Sequence, residues 1–538
     1  MTDPKGITSQ PDLLKTSQRV LVNDAAHWAL GPYRRSRLGG ELGLALVAVL
    51  IHLLVNLVTP YEIHRDEFLY AAMGRHLSLF RMDFPPLIAI LSQFERLLFG
   101  STLFALRLIP ALCHGALVLM TGRVARQMGG TQRAAVLAAF TVLLSPLTLR
   151  SGSLFQPVVL DQLIWTVGYL LLAILAVDNQ PKWWRWLGVL GGIGLLAKFS
   201  IGFFAVGVVV ALLATPLNKA LRTREPWLAA LIALVIGSPA IIGQIVLGWP
   251  VRGQMNDLAA SQLQRVTAAG FLGEQLLYGP MTWLGIAGMV ALFRAPQLRP
   301  WRIVAVAALT TTLLLLVLHG KAYYLGPMWP ALAAAGAVWL EPLAHKRRRW
   351  LVSAAATVTA LFGISLAIPI GLPILPKVAM AEYASRTGIT STVRTNLGEV
   401  APLPQDYADM LGWHDFVDNV VDVWDSLPPN ERATAALVAT NYGRAGAIDW
   451  YGPRYGLPPA ICPCGSYWFW GHGNRAGAVT VIAGGDSAQL APLFQELHAA
   501  RVIEDAWRVK EEQRVTIWVG RGPRASLEQI WAAQKGKN

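Results

Sequence analysis

Long apolar runs separated by short polar segments dominate the chain up to residue 372. A run of about 20 apolar residues is long enough to cross a bilayer as an α-helix. The apolar stretch around Lys198 is too long for one span and short for two, and we divide it there. The pattern then predicts about eleven spans, at residues 42–59, 103–121, 134–149, 158–177, 186–198, 199–215, 227–248, 280–293, 303–318, 323–341 and 350–372.

Two segments between the first and second runs have a different pattern. Residues 67–80 and 86–99 are amphipathic, but they carry too many charges to cross a membrane. Helices of this kind lie along the membrane surface with their apolar face in the interface. We therefore predict two surface helices within a first outer loop of about residues 60–102.

Beyond about residue 374 the chain alternates β-type runs with helical patterns. The runs "ALVAT", "AVTVIAG" and "RVTIWVG" are typical of strands, whereas "DSAQLAPLFQELHAA" (486–500) has helical spacing. The pattern predicts a small α/β domain at residues 374–538. It follows a cytoplasmic segment at 1–41 and a membrane domain at 42–373.

Basic residues give the chain an orientation. The intervening loops are poor in positive charge, while alternate loops carry basic clusters, as cytoplasmic loops do: "GRVARQMGGTQR", "DNQPKWWR", "LNKALRTRE", "FRAPQLRPWR" and "HKRRRW". The N-terminal segment is polar and shows no signal peptide. We therefore predict a multi-pass protein of the bacterial inner membrane, with a cytoplasmic N-terminus and the C-terminal domain on the outer side.

Composition agrees with a membrane protein and excludes other classes. Of 538 residues, 54% are hydrophobic and 14% are charged, against about 25% charged in soluble proteins. The formal charge of +14 is not arranged as a basic helix with interleaved aromatics, so no nucleic-acid partner is predicted. Cys113 lies in an apolar run and is expected to pack there, whereas Cys462 and Cys464 fit either a local disulfide or a metal pair.

A few ionisable residues stand apart from the basic clusters. Asp66 and Glu67 follow the first run, Asp161 lies near the start of the fourth, Lys198 joins the fifth and sixth, and Lys321 precedes the tenth. Singly, each has a plain alternative: an interfacial charge, a structural ion pair, or a lysine that reaches the headgroups. In the predicted topology all of them fall on the outer face, which favours a shared site.

Such a set of residues suits transfer of a group from a lipid phosphate. A carboxylate can act as general base toward an acceptor hydroxyl, and lysines can neutralise the departing phosphate. A second carboxylate can orient the acceptor or the hydroxyls of a sugar. The lipid tail would stay in the bilayer while its headgroup meets the acceptor at the interface.

The order of these residues resembles a known family. "HRDEFLYAAMGRHL", "DFPPLIAIL", Asp161 and the lysine of "LLAK" resemble GT-C class glycosyltransferases, in particular the bacterial branch related to protein O-mannosyltransferases and the aminoarabinose transferase of lipid A. "KAYYLGPMWPAL" and the tail "NYGRAGAIDWYGPRYGLP" are similar to later segments of that branch. The resemblance covers nearly the whole chain and implies a GT-C membrane fold with a C-terminal α/β domain.

The resemblance implies an inverting glycosyltransferase, of hexosyl or pentosyl type, that uses a polyprenyl-phosphate-linked sugar. Asp66 would be the base with Glu67 beside it, Asp161 would organise the donor or acceptor pocket, and Lys198 and Lys321 would hold the donor phosphate. The implied partners are the lipid-linked donor, membrane lipid and an acceptor that stays unspecified. No cofactor is firmly implied, although Asp66, Glu67 and Asp161 could hold a divalent metal.

Further residues carry over from the same motifs. Tyr324 lies in the "KAYYLGPMWPAL" segment and joins the implied phosphate-binding set. Asp83, Pro85 and Pro86 belong to the Pro-Pro motif of the first outer loop. We expect these three to border the site.

One position departs from the aminoarabinose transferases. Those proteins carry a lysine immediately before the Pro-Pro pair, whereas Phe84 stands here. The missing phosphate contact argues against the same donor and acceptor. His64 and Arg65 are candidates to compensate for it.

Two other classes of protein compete with this hypothesis. A secondary transporter would place its charged groups near the bilayer midplane, often within related halves, but these residues gather at one face and no half-repeat is visible. A non-catalytic lipid-binding protein of the same fold is the second alternative. The intact acidic pair and Asp161 favour the enzyme.

Overall fold

The computed structural model of the chain describes residues 39–346, 350–388, 395, 398–475 and 477–533. The predicted cytoplasmic segment 1–41 therefore lies outside the described residues, except for residues 39–41.

Helices make up the membrane part of the chain. Their bounds are α1 (Gly40–Val58), α2 (Arg65–Arg75), α3 (Leu87–Phe99), α4 (Leu103–Leu106), α5 (Leu108–Gln127), α6 (Gln132–Leu143), α7 (Pro146–Gly152), α8 (Pro157–Leu175), α9 (Pro181–Ala197), α10 (Ile201–Ala214), α11 (Glu225–Val246), α12 (Pro250–Ser261), α13 (Ala268–Leu276), α14 (Pro280–Arg294), α15 (Arg302–Val317), α16 (Trp329–Lys346), α17 (Trp350–Phe362), α18 (Ile368–Gly371) and α19 (Lys377–Arg386). Shorter 3₁₀ segments connect several of them, at Pro216–Arg222, Leu263–Arg265, Pro296–Trp301 and Ala322–Met328, and a π-helical turn at Gly363–Ala367 joins α17 to α18.

The remaining residues form a sheet with flanking helices. The elements are α20 (Gln405–Ala408), α21 (Trp413–Asp425), α22 (Pro429–Thr434), β1 (Ala436–Ala439), α23 (Tyr442–Tyr451), α24 (Gly465–Trp470), β2 (Val479–Ala483), α25 (Ser487–Leu490), β3 (Phe494–Glu504), β4 (Arg514–Pro523) and α26 (Leu527–Ala533). Short 3₁₀ segments lie at Gly452–Tyr455, Ala491–Leu493 and Lys510–Glu512. We call residues 398–533 the tail.

The helices confirm a polytopic helical protein. Within the described residues, six helical segments are long and apolar enough to cross a membrane, and up to nine are if each sharply bent pair counts as one span. A helix lies in each of the predicted apolar runs. The two segments predicted as surface helices between the first runs contain helices, α2 and α3.

Two buried histidines of the helical bundle contact each other. His114 on α5 lies with its Nδ1 atom 2.7 Å from Nε2 of His52 on α1. The other ring nitrogen of His52 lies 3.3 Å from the Ser153 hydroxyl. Because buried polar groups are costly unless they are hydrogen-bonded, these contacts stabilise the packing of α1 against α5.

The tail contains a four-stranded sheet in the order β1-β2-β4-β3. β1 pairs with β2 in parallel, and β4 pairs antiparallel with both β2 and β3. The three strands predicted from "ALVAT", "AVTVIAG" and "RVTIWVG" are β1, β2 and β4. The helix predicted over 486–500 is wrong, because only Ser487–Leu490 is α-helical and β3 begins at Phe494. Backbone pairing with β4 outweighs the helical spacing at this sheet edge.

The tail is packed against α2. Phe68 on α2 contacts the rings of Trp413 and Tyr451, with centroids 5.6 and 5.7 Å away. Gly446 on α23 allows the close approach, since a Cβ there would lie 2.5 Å from that of Phe68. The tail and α2 are therefore on the same side of the bundle and in direct contact.

Candidate active site

The start of α2 fixes the direction of the acidic pair. His64 is the N-cap residue, and its Nδ1 atom accepts a hydrogen bond from the Asp66 backbone N–H at 3.1 Å. The Glu67 carboxylate accepts in turn from the His64 backbone N–H at 2.8 Å. This reciprocal capping box satisfies backbone donors at the helix start. It sends Asp66 and Glu67 into different surroundings.

Asp66 faces a cavity of about 150 Å³ between residues 66–88, the start of α8 and the end of α9. We call it the Asp66 cavity. Its walls combine one carboxylate, one ammonium group and several aromatic rings: Asp66, Tyr70, Phe84, Pro85, Ile88, Gln156, Pro157, Val158, Ala197, Lys198 and Tyr323.

Asp66 is held at both carboxylate oxygens. The Tyr442 hydroxyl of α23 donates to Oδ1 at 2.8 Å. The Gln156 side-chain amide, just before α8, donates to Oδ2 at 3.2 Å. Each oxygen retains further acceptor capacity, and the residue is half-buried. Asp66 is therefore an oriented carboxylate that still reaches the cavity.

Glu67 is completely buried and its oxygens are occupied. The guanidinium of Arg107 donates to it at 2.9 and 2.6 Å, and the Phe155 backbone N–H donates at 2.8 Å. Burial alone would raise the pKa of Glu67, but Arg107 and these N–H groups lower it overall. Glu67 does not line the Asp66 cavity. Its contacts tie the first turn of α2 to Arg107 and to the backbone of Phe155.

Asp161 and Lys198 form a second charged pair beside the cavity. The Lys198 Nζ atom lies 3.9 Å from Asp161 Oδ2. The Ser200 hydroxyl donates to the same oxygen at 2.8 Å. Lys198 follows the last residue of α9, and its ammonium lies 5.2 and 5.0 Å from the ring centroids of Tyr323 and Tyr324. Of this group, Lys198 and Tyr323 line the cavity.

Lys321 is close enough to Asp66 and Lys198 for their charges to affect its pKa. It immediately precedes the 3₁₀ segment that carries Tyr323 and Tyr324, and it is half-buried. Burial and the nearby Lys198 lower the pKa of Lys321, against the opposing effect of Asp66. Lys321 is therefore a neighbour of these two charges, although it does not line the cavity.

His64 and Arg65 point toward the tail. The Arg65 Nε atom lies 3.3 Å from Asp409. His64 Nε2 lies 3.7 Å from Asp406 and 3.8 Å from Asp409. Burial lowers the pKa of His64, but Asp406, Asp66 and Asp409 raise it overall. Neither His64 nor Arg65 lines the Asp66 cavity, so their contacts join α2 to the tail.

The Pro-Pro motif forms one wall of the cavity. Phe84 and Pro85 line it, while Pro86 is the N-cap of α3. Asp83 is buried behind them, and the Ser466 hydroxyl on α24 donates to its carboxylate at 2.8 Å. Burial raises the pKa of Asp83 to about 6, although Ser466 opposes the rise. Asp83 therefore links the cavity wall to the tail.

The two cysteines of the tail are joined by a disulfide. Cys462 and Cys464 are bonded directly before α24, the helix that presents Ser466 to Asp83. On the same helix, Trp470 stacks on His76, the residue that follows α2, with centroids 4.2 Å apart. The Tyr467 hydroxyl donates to Asp449 within the tail at 2.8 Å. Of the aromatic run "YWFW", Trp470 thus contacts the end of α2.

Four polar residues that line the cavity or contact Asp66 were not identified from the sequence: Tyr70, Gln156, Tyr323 and Tyr442. Tyr323 could have been predicted, because it is adjacent to Tyr324 in the segment "KAYYLGPMWPAL". Tyr442 lies 376 residues from Asp66, and no local pattern marks it.

Asp66, Glu67 and Asp161 are the acidic residues that the sequence suggested as possible metal ligands. Over the ranges that the structure describes, no group of three or more His, Cys, Asp and Glu side chains is placed to hold a metal ion. Asp66, Glu67 and Asp161 instead have the separate hydrogen-bond and ion-pair partners given above.

Comparisons with known proteins bear on the fold of the chain. The family model for dolichyl-phosphate-mannose-protein mannosyltransferase matches residues 83–242. The apo crystal structure of ArnT from Cupriavidus metallidurans superimposes with a TM-score of 0.60 at 16% identity, over 89% of this chain and 98% of that chain. The same protein bound to undecaprenyl phosphate gives 0.58 at 15% identity, with the same coverage. No curated protein sequence matches the chain.

These matches show the fold. The resemblance to GT-C glycosyltransferases predicted from the sequence is confirmed by the matched family and by the ArnT structures. The fold of this chain is the GT-C membrane fold that ArnT has.

Proposed function

We propose that this protein is an inverting glycosyltransferase that moves a sugar from a polyprenyl-phosphate-linked donor to an acceptor hydroxyl. The observation that carries the proposal is the Asp66 cavity, in which one carboxylate and the ammonium of Lys198 face the same space. A base and a phosphate-binding cation are the two groups that this transfer requires. The matched family is named for transfer of mannose from a lipid phosphate, which supports the donor class.

The reaction is a single displacement at the anomeric carbon of the sugar. The acceptor oxygen forms a bond to that carbon on one face while the bond to the phosphate oxygen breaks on the other. The proton of the acceptor hydroxyl passes to Asp66, and the electron pair leaves with the polyprenyl phosphate. Lys198, with Lys321 nearby, offsets the negative charge that develops on this phosphate.

The other charged residues have supporting roles in this proposal. Asp161 holds the Lys198 ammonium at the cavity edge, and the Ser200 hydroxyl orients the Asp161 carboxylate. The ring of Tyr324 packs against the same ammonium. Glu67 anchors α2 through Arg107 and does not take part in proton transfer. His64 and Arg65 serve as contacts to the tail and not as phosphate ligands.

We place the cavity and the tail at the outer face of a bacterial inner membrane. About eleven crossings would put the basic loops in the cytoplasm by the positive-inside rule. The Cys462–Cys464 disulfide supports the same orientation, since disulfides persist in oxidising compartments outside the cytoplasm. The domain limits then follow the sequence analysis: residues 42–373 form the membrane domain and 374–538 the outer α/β domain.

The sugar and the acceptor are set by the cavity walls. Phe84 stands where the aminoarabinose transferases carry a lysine, so the wall beside Asp66 is apolar. We therefore expect a donor sugar different from aminoarabinose. Undecaprenyl phosphate, the lipid bound to the ArnT structure, is the first carrier to test.

The test is a donor panel with purified protein in detergent or nanodiscs. Polyprenyl-phosphate hexoses and pentoses are offered one at a time, with a crude envelope fraction as acceptor, and release of polyprenyl phosphate is measured. We expect release with one donor class by the wild type and none by Asp66→Asn. Equal release by both proteins would refute the role of Asp66. Silence over the whole panel with folded protein would favour a transporter or a lipid-binding protein.

A further inference from the structure

Tyr442 has a fixed position at the first residue of α23. Its neighbour Asn441 is the N-cap, and the Asn441 side-chain oxygen accepts from the Arg444 backbone N–H at 2.9 Å. The Asn441 amide also donates to Glu512 at 2.7 Å, which ties the helix start to the segment before β4. The ring of Tyr442 therefore projects from a rigid part of the tail.

Contacts with α2 hold the same ring on the membrane side. The Arg65 guanidinium lies 5.7 Å from the ring centroid of Tyr442. Gly443 permits this approach, because a Cβ there would come within 2.5 Å of Arg65 Cγ. Arg65 is itself paired with Asp409 of the tail. The tyrosine is thus clamped between the tail and the first turn of α2.

The Tyr442 hydroxyl reaches the residue that we assign as the base. It lies 2.8 Å from Asp66 Oδ1, while Gln156 occupies Oδ2 from the opposite element at 3.2 Å. Burial and the negative charge of Asp66 raise the pKa of Tyr442 well above its ordinary value. The phenol therefore stays protonated and acts as a donor.

We propose that Tyr442 is a positioning residue for the base, so that the tail completes the active site and does not merely cover it. This inference rests on the proposed function. The phenol holds the Asp66 carboxylate with its remaining lone pairs toward the cavity. During transfer, the acceptor proton passes to Asp66 and the phenol keeps its own proton, so Tyr442 is unchanged over the cycle.

The phenol and the Gln156 amide together fix the direction of both carboxylate oxygens of Asp66. Loss of the Tyr442 hydroxyl should therefore lower kcat and leave donor binding nearly unchanged. A merely structural residue of the tail would not change kcat alone.

The experiment uses the full chain with Tyr442→Phe, which removes one oxygen and keeps the ring against Arg65. We expect kcat to fall by about 10- to 100-fold, which is less than the roughly 100- to 10,000-fold that a general base itself contributes. The KM for the donor should change by less than about twofold, because the hydroxyl does not reach the phosphate-binding lysine.

Tyr467→Phe is the matched control. It removes the same kind of hydrogen bond, from a tyrosine hydroxyl to Asp449 at 2.8 Å, within the tail and away from the cavity. We expect wild-type kcat and KM from this variant. Replacement of Tyr442 by 4-fluorophenylalanine supplies a second test, because fluorine fills much of the space of the hydroxyl but donates no hydrogen bond. Its kcat should fall as in Tyr442→Phe, and it serves if Tyr442→Phe does not fold.

The outcomes separate this inference from the proposed function. Activity in Asp66→Asn would overturn both. An inactive Asp66→Asn together with a Tyr442→Phe variant that behaves like Tyr467→Phe would overturn only the role of Tyr442. A folded 4-fluorophenylalanine variant with wild-type kcat would do the same.

Discussion

Asp66 and Glu67 are neighbours in the sequence, yet they lie in two contrasting regions of the molecule. Asp66 is half-buried at a cavity, held by two neutral donors. Glu67 is completely buried and paired with the equally buried Arg107. The capping box at His64 sends the two side chains apart. An acidic pair in a motif can thus contain one residue available for chemistry and one that holds the scaffold.

The difference follows from the charge of the partners. A buried carboxylate with a guanidinium and backbone N–H groups around it is stabilised as the anion and has little acceptor capacity left. A carboxylate with a phenol and an amide around it keeps both its orientation and its ability to take a proton. The comparison can be tested at each region, and the largest effect is expected at the cavity.

Asp66→Asn should abolish transfer. The amide is isosteric and accepts the Tyr442 hydrogen bond, but it cannot act as a base. We expect kcat to fall by about 1000-fold or more, near the upper range for a general base, with a melting temperature within a few degrees of the wild type. Turnover of a purified donor and thermal denaturation in detergent measure the two quantities. A large loss of stability would mean that Asp66 is structural after all.

Glu67→Gln should show the opposite pattern, with a loss of stability first. Removing one partner of a buried pair leaves Arg107 uncompensated and costs about 3 to 5 kcal/mol, which thermal or chemical denaturation would detect. Glu431→Gln is the control, because its pair with Arg521 is partly exposed and should cost less than about 1 kcal/mol. Normal stability with lost transfer would move Glu67 into the catalytic machinery.

Lys198→Ala tests the other charge at the cavity. We expect kcat/KM for the donor to fall by about 100-fold, because the phosphate loses a preorganised cation. Lys182→Ala is the matched control, since Lys182 also lies over an aromatic ring, that of Trp183 at 4.8 Å, but outside the cavity. Equal donor kinetics in the two variants would remove Lys198 from the site.

The smallest effect is expected at Asp83, behind the cavity wall. Its pKa is raised to about 6 by burial, against about 3.9 in the unfolded chain. The native state therefore prefers the protonated carboxyl, and this stabilisation is complete below about pH 4 and lost as the pH rises through about 6. Asp83→Asn should escape that loss, so its stability relative to the wild type should rise by at most about 3 kcal/mol from pH 4 to 7.5.

Denaturation at the two pH values measures this change. Asp422→Asn is the control, because that carboxylate is exposed and pairs with an exposed Arg501. If the free energy of unfolding of Asp83→Asn differs from that of the wild type by the same amount at both pH values, the pKa of Asp83 is not raised in the native protein.

Much of the fold follows from local pattern. The apolar runs gave helices within a few residues of their observed ends, as for the predicted span 227–248 and the observed α11 at Glu225–Val246. Hydrophobic length is a strong signal because the bilayer requires it. The error over 486–500 has the opposite origin. β3 exists through pairing with β4, and that partner lies farther along the chain.

The site could be predicted only as far as single residues carry chemistry. Lys198 and Asp161 were expected to share a face, and their side chains lie 3.9 Å apart. The roles of Asp66 and Glu67 could not be distinguished, because Arg107 and Tyr442 are 40 and 376 residues away from them. Such partners are set by tertiary packing, and a single sequence does not encode them in any local spacing.

The contact between Asp66 and Tyr442 also has a consequence for biosynthesis. The two residues are 376 positions apart, so a ribosome working at about 5 to 20 residues per second adds the second one roughly 20 to 75 s after the first. Throughout that interval Asp66 is without its tyrosine partner. Premature termination before residue 442 would leave a helical protein that lacks the phenol beside Asp66. The proposed site is therefore complete only after synthesis has reached the tail.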